Sequence, residues 1–456
     1  MSTVKDIYGE VNLDKDSLWG VNTQRSLQNF PIGLEKMPKP LIEALLTVKS
    51  SCAVANEKAK VLSTDKSKAI QESVNYLLSQ EDLMKYFPLS IWQTGSGTQT
   101  NMNVNEVISK LSGDVKLHPN DDVNKGQSSN DVFPTAMNIM AVSLLRKLIA
   151  ELDVLIDVLS ELKDKYSNLI KVGRTHTQDA TPLTYGQEIS AWEMMIRVNK
   201  SQLESSLEYL YPLAIGGTAV GNGVNTFVGF DQLVVNEINK TLNEQFVVSV
   251  NKYHQLSSKD GFVFASGALN SLASNVMKMA NDLRFLASGP RAGLREITLP
   301  ANEAGSSIMP GKVNPTQIEA LTMVCVQVMG NTQTITIASS QGHFQLNTFM
   351  PVITYNFYQA VTLLTESINS FRVRCLRGIE VNTDVVNSYL NNSLMSATYL
   401  NPILGYDVVS KLVKEAHVNN LSIKEVILKN NLMSEKEFDD YFDYNDMIKP
   451  YQIEEE

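Results

Sequence analysis

One eleven-residue segment, GSSIMPGKVNP at positions 305–315, combines residue types that are suited to acid–base chemistry on an anion. Its two glycines and two prolines are incompatible with a regular helix or a central strand, so the segment is predicted to be a loop. It carries the paired serines Ser306 and Ser307, the cation Lys312 and the amide Asn314. Such a loop offers a hydroxyl that could act as a base, a positive charge and free backbone N–H donors.

Three other segments are polar and contain glycine where a protein built only for packing would be apolar. They are TGSGTQTNMN (94–103), HPNDDVNKGQSSND (118–131) and GRTHTQDATPLT (173–184). Together with the serine loop they supply hydroxyls, amides, one central histidine and one loop lysine. The sequence contains no Walker loop, no Rossmann fingerprint and no dense Cys/His cluster that would indicate a metal site.

These groups are suited to binding a small polycarboxylate and removing a proton beside one of its carboxylates. Proton removal creates an aci-carboxylate dianion, which preorganised donors must stabilise. Lys312, Asn314 and loop N–H groups could do so, and a loop serine could take the proton if the same field stabilises its alkoxide. The glycines would then serve as hinges for closure over the anion. The residues alone leave plainer interpretations open: a connecting loop, a solvated Thr-His pair and a simple turn at HPNDD.

The four polar segments flank long stretches with the apolar periodicity of helices. The clearest runs from Thr135 to Val172 without glycine or proline, and its apolar residues step alternately by three and four from Leu145 to Leu169. A seam of this kind requires a second helix beside it. The preceding SSNDVFP supplies N-cap candidates and a proline suited to a first turn.

Four more long helices are predicted, over Gln187 to about Leu210, Ser258 to Ser288, Thr316 to about Ser339, and Tyr355 to about Arg374. Five long helices with short glycine-rich joints predict a helical bundle and not an α/β sheet.

From about Asn382 the pattern changes to short helices, and the motifs SIKE (422–425) and SEKE (434–437) are both capping boxes. The sequence therefore predicts a small C-terminal helical domain. A DNA-binding helix-turn-helix is the alternative, but the run EFDDYFDYND and the terminal EEE make this region acidic.

The 456 residues suffice for two to four domains of about 150 residues each. The net charge of −10 argues against a nucleic-acid or anionic-membrane surface, although a local cluster of donors can still bind an anion. No stretch approaches the roughly 20 apolar residues of a membrane span. The N-terminal residues have no signal-peptide or transit-peptide pattern, so a cytoplasmic location is expected.

Three cysteines, Cys52, Cys325 and Cys375, could in principle hold an iron–sulfur cluster with an open iron. They are far apart, form no Cys-x-x-Cys motif and lie in apolar stretches of helical character. Small buried thiols are the favoured interpretation, and disulfides are not expected.

The pattern Gly305-Ser306-x-x-Met309-x-x-Lys312-x-Asn314 resembles the signature of the fumarase/aspartase superfamily. Other segments are similar, in the same order, to the class II, metal-independent fumarate hydratases within it. They are GSGTQTNMNVNEVI, HPNDDVNKGQSSNDVFPTAM, GRTHTQDATPLTYGQE, AIGGTAVGNGVN and GSSIMPGKVNPTQIEALTM. The similarity continues through LNPILGYDVV, so it covers nearly the whole chain.

The resemblance implies a mainly α fold of three domains: an N-terminal domain (1–127), a central helical bundle (128–382) and a small C-terminal helical domain (383–456). It also implies a homotetramer in which the central five-helix bundles form a 20-helix core and three subunits build each active site. The implied reaction is the reversible, stereospecific hydration of fumarate to (S)-malate in the tricarboxylic acid cycle, with neither a metal nor another cofactor.

The family's residue roles transfer to matching positions of this chain. Ser306 is implied to remove the C3 proton of malate, and Lys312 to stabilise the charge that develops. His176 belongs to the acid/base pair at the C2 oxygen and acts through a water, with Glu319 as its carboxylate partner. The implied substrate-binding positions are Ser96, Gly97, Thr98, Ser128, Ser129, Asn130, Thr175, Ser307, Lys312, Val313 and Asn314. A second anion site near the entrance is implied at His118, Pro119, Asn120 and Asp121.

Some positions depart from the family pattern. Val115-Lys116 stands where a basic pair is expected before the second anion site, and the stretch from Ile108 to His118 is short. Thr177 and Tyr185 replace common leucines, and GHFQLNTF replaces the usual GNFELNVF. No catalytic group is lost by these changes.

Two alternative functions share this fold. Aspartate ammonia-lyases use the same C3 proton abstraction but are closer to Gly-Ala-Gly-Thr-Ser where this chain has GSGTQTN. Structural lens proteins recruited from the superfamily could lose the base or the lysine without penalty, whereas every catalytic position is filled here.

Overall fold

The computed structural model describes residues 2–6, 8–14 and 17–450. Helices dominate these ranges, and the strands among them form only two-stranded pairs. The mainly α prediction is therefore confirmed. Among the described residues, no helix is both long enough and apolar enough to cross a bilayer.

The helices follow one another along the chain, and the connections between them vary widely in length. The first four are α1 (Val21–Asn29), α2 (Lys39–Lys58), α3 (Thr64–Leu78) and α4 (Thr98–Leu111). The next four are α5 (Ser129–Lys165), α6 (Tyr185–Leu207), α7 (Phe230–Leu242) and α8 (Lys252–Ser257). Then come α9 (Asp260–Leu286), α10 (Thr316–Ser339) and α11 (Met350–Arg374). The last six are α12 (Thr383–Asn392), α13 (Asn401–Leu404), α14 (Tyr406–Asn419), α15 (Ile423–Lys429), α16 (Glu435–Tyr441) and α17 (Tyr444–Met447).

The strands are short; two of the pairs form between strands that are close in sequence, and the other two form across long connections. Three pairs are antiparallel: β1 (Ser2–Asp6) with β2 (Gly9–Leu13), β3 (Ile170–Thr175) with β4 (Gln178–Thr184), and β7 (Ile297–Thr298) with β8 (Glu380–Val381). The fourth pair, β5 (Pro212–Leu213) with β6 (Val247–Val248), is parallel. The pair β3–β4 contains a register shift between Val172 and Arg174.

The chain divides into two compact units. The first unit contains the chain up to Ala150, Asn199–Ser274 and Val324–Glu366. The second unit contains Glu151–Val198, Asn275–Met323 and the chain from Ser367 onward. Each long helix (α5, α6, α9, α10 and α11) contributes residues to both units. The three-domain division at 127/128 and 382/383 stays a prediction.

The predicted apolar seam is the buried face of α5. Leu145, Leu148, Leu152, Leu155 and Leu159 are all fully buried. Complete burial of a leucine side chain stabilises the fold by about 1.5–3 kcal/mol, so this face holds α5 firmly in the core.

The predicted bounds of α5 are wrong at both ends. The helix begins at Ser129, so Pro134 lies inside it and not in its first turn. It ends at Lys165 and not at Val172, because the chain turns there and Ile170 enters β3. Beyond Lys165 the backbone carbonyls of Tyr166 and Leu169 accept hydrogen bonds from the N–H groups of residues 186 and 185, at 3.0 and 2.9 Å.

Within the second unit, side-chain hydrogen bonds join the five long helices in a closed ring. In order, Lys163 donates to Glu193 (2.8 Å), Trp192 to Asp282 (2.9 Å), Arg284 to Thr322 (3.0 Å), Ser370 to Gln317 (2.8 Å) and Arg372 to Glu151 (2.7 Å). These bonds link α5 to α6, α6 to α9, α9 to α10, α10 to α11, and α11 back to α5. A closed ring is the arrangement expected of a five-helix bundle.

Both predicted capping boxes are present in the C-terminal helices. The hydroxyl of Ser422 accepts the Glu425 N–H at 3.2 Å, and the Glu425 carboxylate accepts the Ser422 N–H at 2.7 Å. Ser434 and Glu437 repeat this arrangement at the start of α16. These caps satisfy backbone donors that the first turn of a helix leaves free.

The buried-thiol interpretation of the cysteines is confirmed, since Cys52, Cys325 and Cys375 are all buried and unpaired. Burial raises the pKa of Cys325 and of Cys375 to about 12, so these thiols stay protonated and unreactive.

Candidate functional site

The loop that carries Ser306 connects β7 to α10 and presents a stabilised hydroxyl oxygen. Ser306 Oγ accepts hydrogen bonds from the backbone N–H groups of Ile308 (3.3 Å) and Met309 (3.0 Å). Two donors directed at this oxygen would also stabilise the alkoxide that forms when the hydroxyl loses its proton. The local fold of the loop therefore suits Ser306 to the role of a base.

The loop closes on itself at its base, which brings its polar groups together. The Asn314 side-chain amide donates to the Gly305 carbonyl oxygen. A Cβ atom on Gly305 would lie only 2.1 Å from the Lys312 carbonyl oxygen, so only glycine fits here. The Lys312 N–H bonds to the Met309 carbonyl at 3.2 Å and completes a turn.

The positive charge of this loop is available to a ligand. The Lys312 side chain is exposed, and it has no ion-pair partner within the described part of the chain. Three neighbouring apolar side chains, Ile308, Met309 and Val313, are also exposed. The loop thus presents an exposed cation beside exposed apolar side chains.

His176 lies at the tip of the β3–β4 hairpin. Its φ is 58° and that of Thr177 is 60°, so both turn residues are left-handed, as in a two-residue type I′ turn. A β-branched residue rarely adopts this conformation, which costs about 1–3 kcal/mol and persists only where surrounding structure imposes it. The predicted binding residue Thr175 ends β3 beside this turn.

The His176 imidazole is exposed and has no hydrogen-bond partner among the described residues. Glu319 is also exposed, in the first turn of α10, where its N–H bonds to the Pro315 carbonyl at 3.0 Å. No hydrogen bond joins the two side chains in the described ranges of this chain. Their pairing therefore stays a prediction.

A buried ion cluster fixes the base of the His176 hairpin. The Glu296 carboxylate lies 3.0 Å from Lys171 Nζ and 2.5 Å from Arg174 Nη2, and it accepts the Tyr185 hydroxyl at 2.8 Å. Lys171 also contacts Glu188 at 2.8 Å. Burial opposes ionisation of Glu296, but the two cations and the hydroxyl outweigh it and lower the pKa of this carboxyl group.

In the first unit, the predicted binding residues lie at the N-termini of α4 and α5. Ser96 Oγ and Thr98 Oγ1 share a hydrogen bond of 2.8 Å just before and at the start of α4. Gly97 between them has a φ of +72°, and a Cβ atom there would lie 2.2 Å from the Phe133 ring. Only glycine can therefore occupy this position.

A side-chain hydrogen bond joins the start of α5 to α4. The Asn101 amide donates to Ser129 Oγ at 3.0 Å, while Ser128 Oγ accepts the Asn130 N–H at 3.2 Å. The Asn130 amide donates to the Ala219 carbonyl at 2.8 Å. Two helix N-termini held side by side attract an anion through their free N–H groups and their dipoles.

Two buried charges support this region, and sequence analysis missed both. Asp131 accepts N–H bonds from Ser128 (2.9 Å), Gly216 (3.0 Å) and Thr218 (2.8 Å), and burial raises its pKa to about 6. Lys49 donates to side-chain oxygens of residues 124 and 127 at 2.8 and 2.9 Å, and burial lowers its pKa to about 7. Two features of the sequence could have indicated them: Asp131 directly follows the SSN motif, and Lys49 lies within the largely apolar helix α2.

The predicted second anion site forms a single wide helical turn over Pro119–Val123. His118 Nδ1 accepts the Asp121 N–H at 3.0 Å, and both side chains are exposed. Asn120 and Asp121 line a cavity of about 800 Å³ that is also lined by Ser128. Two residues of the predicted second anion site and one predicted substrate-binding residue therefore line the same cavity.

The predicted site residues thus fall into separate groups. The first unit holds two of these groups. One is the pair of helix N-termini with Ser96, Gly97, Thr98, Ser128, Ser129 and Asn130, and the other is the turn with His118, Pro119, Asn120 and Asp121. The second unit holds the hairpin with Thr175 and His176, and the loop and helix start with Ser306, Ser307, Lys312, Val313, Asn314 and Glu319.

Comparisons with known proteins agree over the whole chain. Residues 9–330 match the protein family described as "Lyase", and residues 397–449 match "Fumarase C C-terminus". The class II fumarate hydratase of Oceanobacillus iheyensis is 50% identical over 455 residues, which is 98% of each chain. That of Bacillus subtilis is 48% identical over 458 residues, again 98% of each.

Two solved structures are also similar to this chain. The recombinant class II fumarase from Schistosoma mansoni superimposes with a TM-score of 0.94 at 39% identity, covering 99% of this chain and 100% of the other. A cobalt-bound fumarate lyase:delta crystallin from Brucella melitensis gives 0.93 at 33% identity, covering 98% and 100%.

Proposed function

The chain belongs to the class II fumarate hydratase family, and from that premise we propose that it catalyses the reversible, stereospecific hydration of fumarate to (S)-malate. The observation that carries this proposal is identity of about 50% to class II fumarate hydratases along the full chain. Support from the site is a serine whose oxygen faces two backbone donors on the loop that also carries a free lysine.

Dehydration of malate begins at C3. Ser306 Oγ takes the proton from C3, and the electron pair of the broken C–H bond moves into the adjacent carboxylate to give the aci-carboxylate. Lys312 and Asn314 stabilise that dianion, since donors aimed at developing charge are the strongest contribution available to a metal-free site. The N–H groups of Ile308 and Met309 stabilise the alkoxide form of the base.

Departure of the C2 hydroxyl completes the elimination. The electron pair returns from the aci-carboxylate to form the C2–C3 double bond, and the hydroxyl leaves as water after it receives a proton. His176, oriented by Glu319, supplies this proton through a bound water in our proposal. Imidazole is the side chain best suited to take up and release a proton near neutral pH.

The first unit's paired helix N-termini are a second region suited to binding a carboxylate. Ser96, Thr98, Ser128, Ser129 and Asn130 supply hydroxyls and an amide there. A dicarboxylate needs one anion-binding region at each end. Each of the two units offers one such region.

We further propose a homotetramer in which three subunits build each active site. Several large apolar side chains on the long helices are exposed in the single chain, including Met194 (59%), Phe285 (61%) and Met323 (67%). A monomer rarely leaves such a surface open to water, so these helices are expected to pack against other copies. The unpartnered His176 and Glu319 side chains fit the same proposal.

One assay tests the proposed function. Purified protein is mixed with malate, with fumarate or with aspartate, and the absorbance of fumarate is followed with and without EDTA. We expect interconversion of fumarate and malate that EDTA leaves unchanged, and none from aspartate. Fumarate formed from aspartate but not from malate would identify an ammonia-lyase, and loss of activity with EDTA would contradict metal-independent chemistry.

A further inference from the structure

We propose that Glu296 is a positioning residue that holds the His176 hairpin and the Ser306 loop in fixed geometry within the second unit. The inference rests on the proposed function, since it concerns the two segments assigned to acid–base chemistry. Glu296 itself does not touch the substrate in this proposal. It acts through the strand and the connection that its contacts join.

The Glu296 side chain is held to the hairpin by ion pairs. Its side chain is 1% exposed, and both cations that it contacts, Lys171 and Arg174, lie on β3. Arg174 is two residues from His176. The Arg174 contact is a close ion pair, with Nη2 2.5 Å from the Glu296 carboxylate.

Hydrogen bonds from Asn382 also hold the backbone at Glu296, on the side of the chain that leads to Ser306. The Asn382 N–H bonds to the Glu296 carbonyl at 2.8 Å, and the Asn382 amide bonds to the Arg295 carbonyl at the same distance. Immediately beyond Glu296, β7 pairs with β8. The Tyr389 hydroxyl also donates to the Leu294 carbonyl at 3.0 Å.

These bonds extend to the start of the loop. Asn302, between β7 and the loop, donates its side-chain amide to the Arg374 carbonyl at 3.0 Å. The connection from Glu296 to the loop is therefore held at several points, and β3 is held to Glu296 by two charges. A shift of Glu296 would move both segments.

The charges of the cluster explain why a carboxylate is needed. Lys171 and Arg174 are balanced by Glu188 and Glu296, so the cluster is neutral as a whole. Removing one partner of a buried ion pair leaves an uncompensated charge and is strongly destabilising. The strained turn at His176 also needs firm support from its surroundings, and the cluster provides it directly below the hairpin.

The first variant is Glu296→Gln, which keeps the shape of the side chain and removes its charge. A displacement of about 1 Å in a catalytic group can lower the rate by about 10²-fold. We therefore expect kcat for malate dehydration to fall between about 10-fold and 100-fold, with KM changed less than about threefold. A purely structural role would lower the melting temperature and leave kcat unchanged.

Glu151→Gln is the matched control. Glu151 also forms a buried ion pair within the second unit, with Arg372 at 2.7 Å, and it takes part in neither the hairpin nor the loop. We expect a comparable fall in melting temperature with kcat within twofold of the wild type. An equal loss of kcat in this control would overturn the proposal.

Arg174→Met is the second variant, and it decides the question if Glu296→Gln yields no folded protein. Arg174 is partly exposed, and its removal leaves Glu296 in contact with Lys171 and Tyr185, so folding should survive. We expect kcat to fall at least fivefold with little change in KM. The inference is overturned if a folded Glu296→Gln protein keeps kcat within twofold of the wild type. If Glu296→Gln does not fold, the same result in Arg174→Met overturns it. The wild-type assay with malate reports separately on the proposed function.

Discussion

At the scale of single residues, two substitutions in the Ser306 loop test the proposed base and the proposed cation separately. Ser306→Ala should lower kcat by about 10²–10⁴-fold, the range for a lost general base. Lys312→Met should lower it by about 10²–10³-fold, because one stabilising donor is lost from the transition state. Both variants should keep the wild-type melting temperature, since the loop contributes little buried surface. Steady-state kinetics with malate and thermal melts measure these effects.

Lys414→Met is the control for the cation, because Lys414 is an exposed lysine on α14. It should leave both kcat and melting temperature unchanged. Substantial fumarate hydration by a normally melting Ser306→Ala protein would show that this serine only binds the substrate.

Asp131 makes stability depend on pH. Its pKa is raised from 3.8 to about 6 by burial, so the folded state holds this proton more tightly than the unfolded chain does. The stability that Asp131 contributes is therefore fully present below about pH 4 and is lost as the pH rises through about 6. Two pKa units correspond to about 3 kcal/mol.

The Asp131→Asn variant cannot titrate, so its melting temperature relative to the wild type should rise between pH 4 and pH 7. Melts of both proteins across this range cancel the contributions of titrating groups that do not interact with Asp131. A constant difference between the two curves would show that Asp131 keeps an ordinary pKa in the folded protein.

Sequence analysis could propose Ser306 and Lys312 as site residues because their chemistry and spacing are visible in one loop, and their roles stay predictions. It could not identify Glu296, which meets Lys171 and Arg174 from more than a hundred residues away. The partners of a buried charge are set by the tertiary fold, and a lone glutamate in the sequence carries no sign of them.

At the scale of elements, periodicity predicted the long helices but not all of their ends. Tyr166 and Leu169 continue the three-and-four spacing of α5 although they lie beyond the end of the helix, where their carbonyls bond to the start of α6. The sequence predicted no hairpin over β3 and β4: residues 170–172 were assigned to the end of the long helix, and residues 173–184 were recognised only as a polar segment. The register shift of the hairpin between Val172 and Arg174 disrupts the period-two alternation that reveals a strand.

The strained hairpin turn gives an element-scale prediction. Thr177→Gly should stabilise the protein by about 0.5–1 kcal/mol, because glycine adopts the left-handed conformation without the clash that a β-branched side chain suffers. The free energy of unfolding, or the melting temperature, measures this gain. Thr181→Gly, in the extended strand β4 of the same hairpin, is the control and should destabilise by a similar amount. A loss of stability in Thr177→Gly would mean that the turn is not strained.

At the scale of the whole molecule, the exposed apolar helix surfaces predict assembly. Light scattering should give a mass of about four times the 50.6 kDa chain. Mixed tetramers of His176→Asn and Ser306→Ala chains should recover part of the activity, because some active sites would combine an intact hairpin with an intact loop. An active monomer, or hybrids as inactive as their parents, would contradict shared sites.

The closed ring of hydrogen bonds in the second unit constrains how this chain can change in length during evolution. Apolar side chains alone would allow a helix to slide along its neighbours. Each hydrogen bond of the ring instead fixes the position of one helix along the axis of the next. A single inserted residue rotates the helix beyond it by about 100° and advances it by 1.5 Å, which separates donor from acceptor. Insertions and deletions should therefore accumulate in connections such as that between α4 and α5, while the lengths of the five ring helices stay constant.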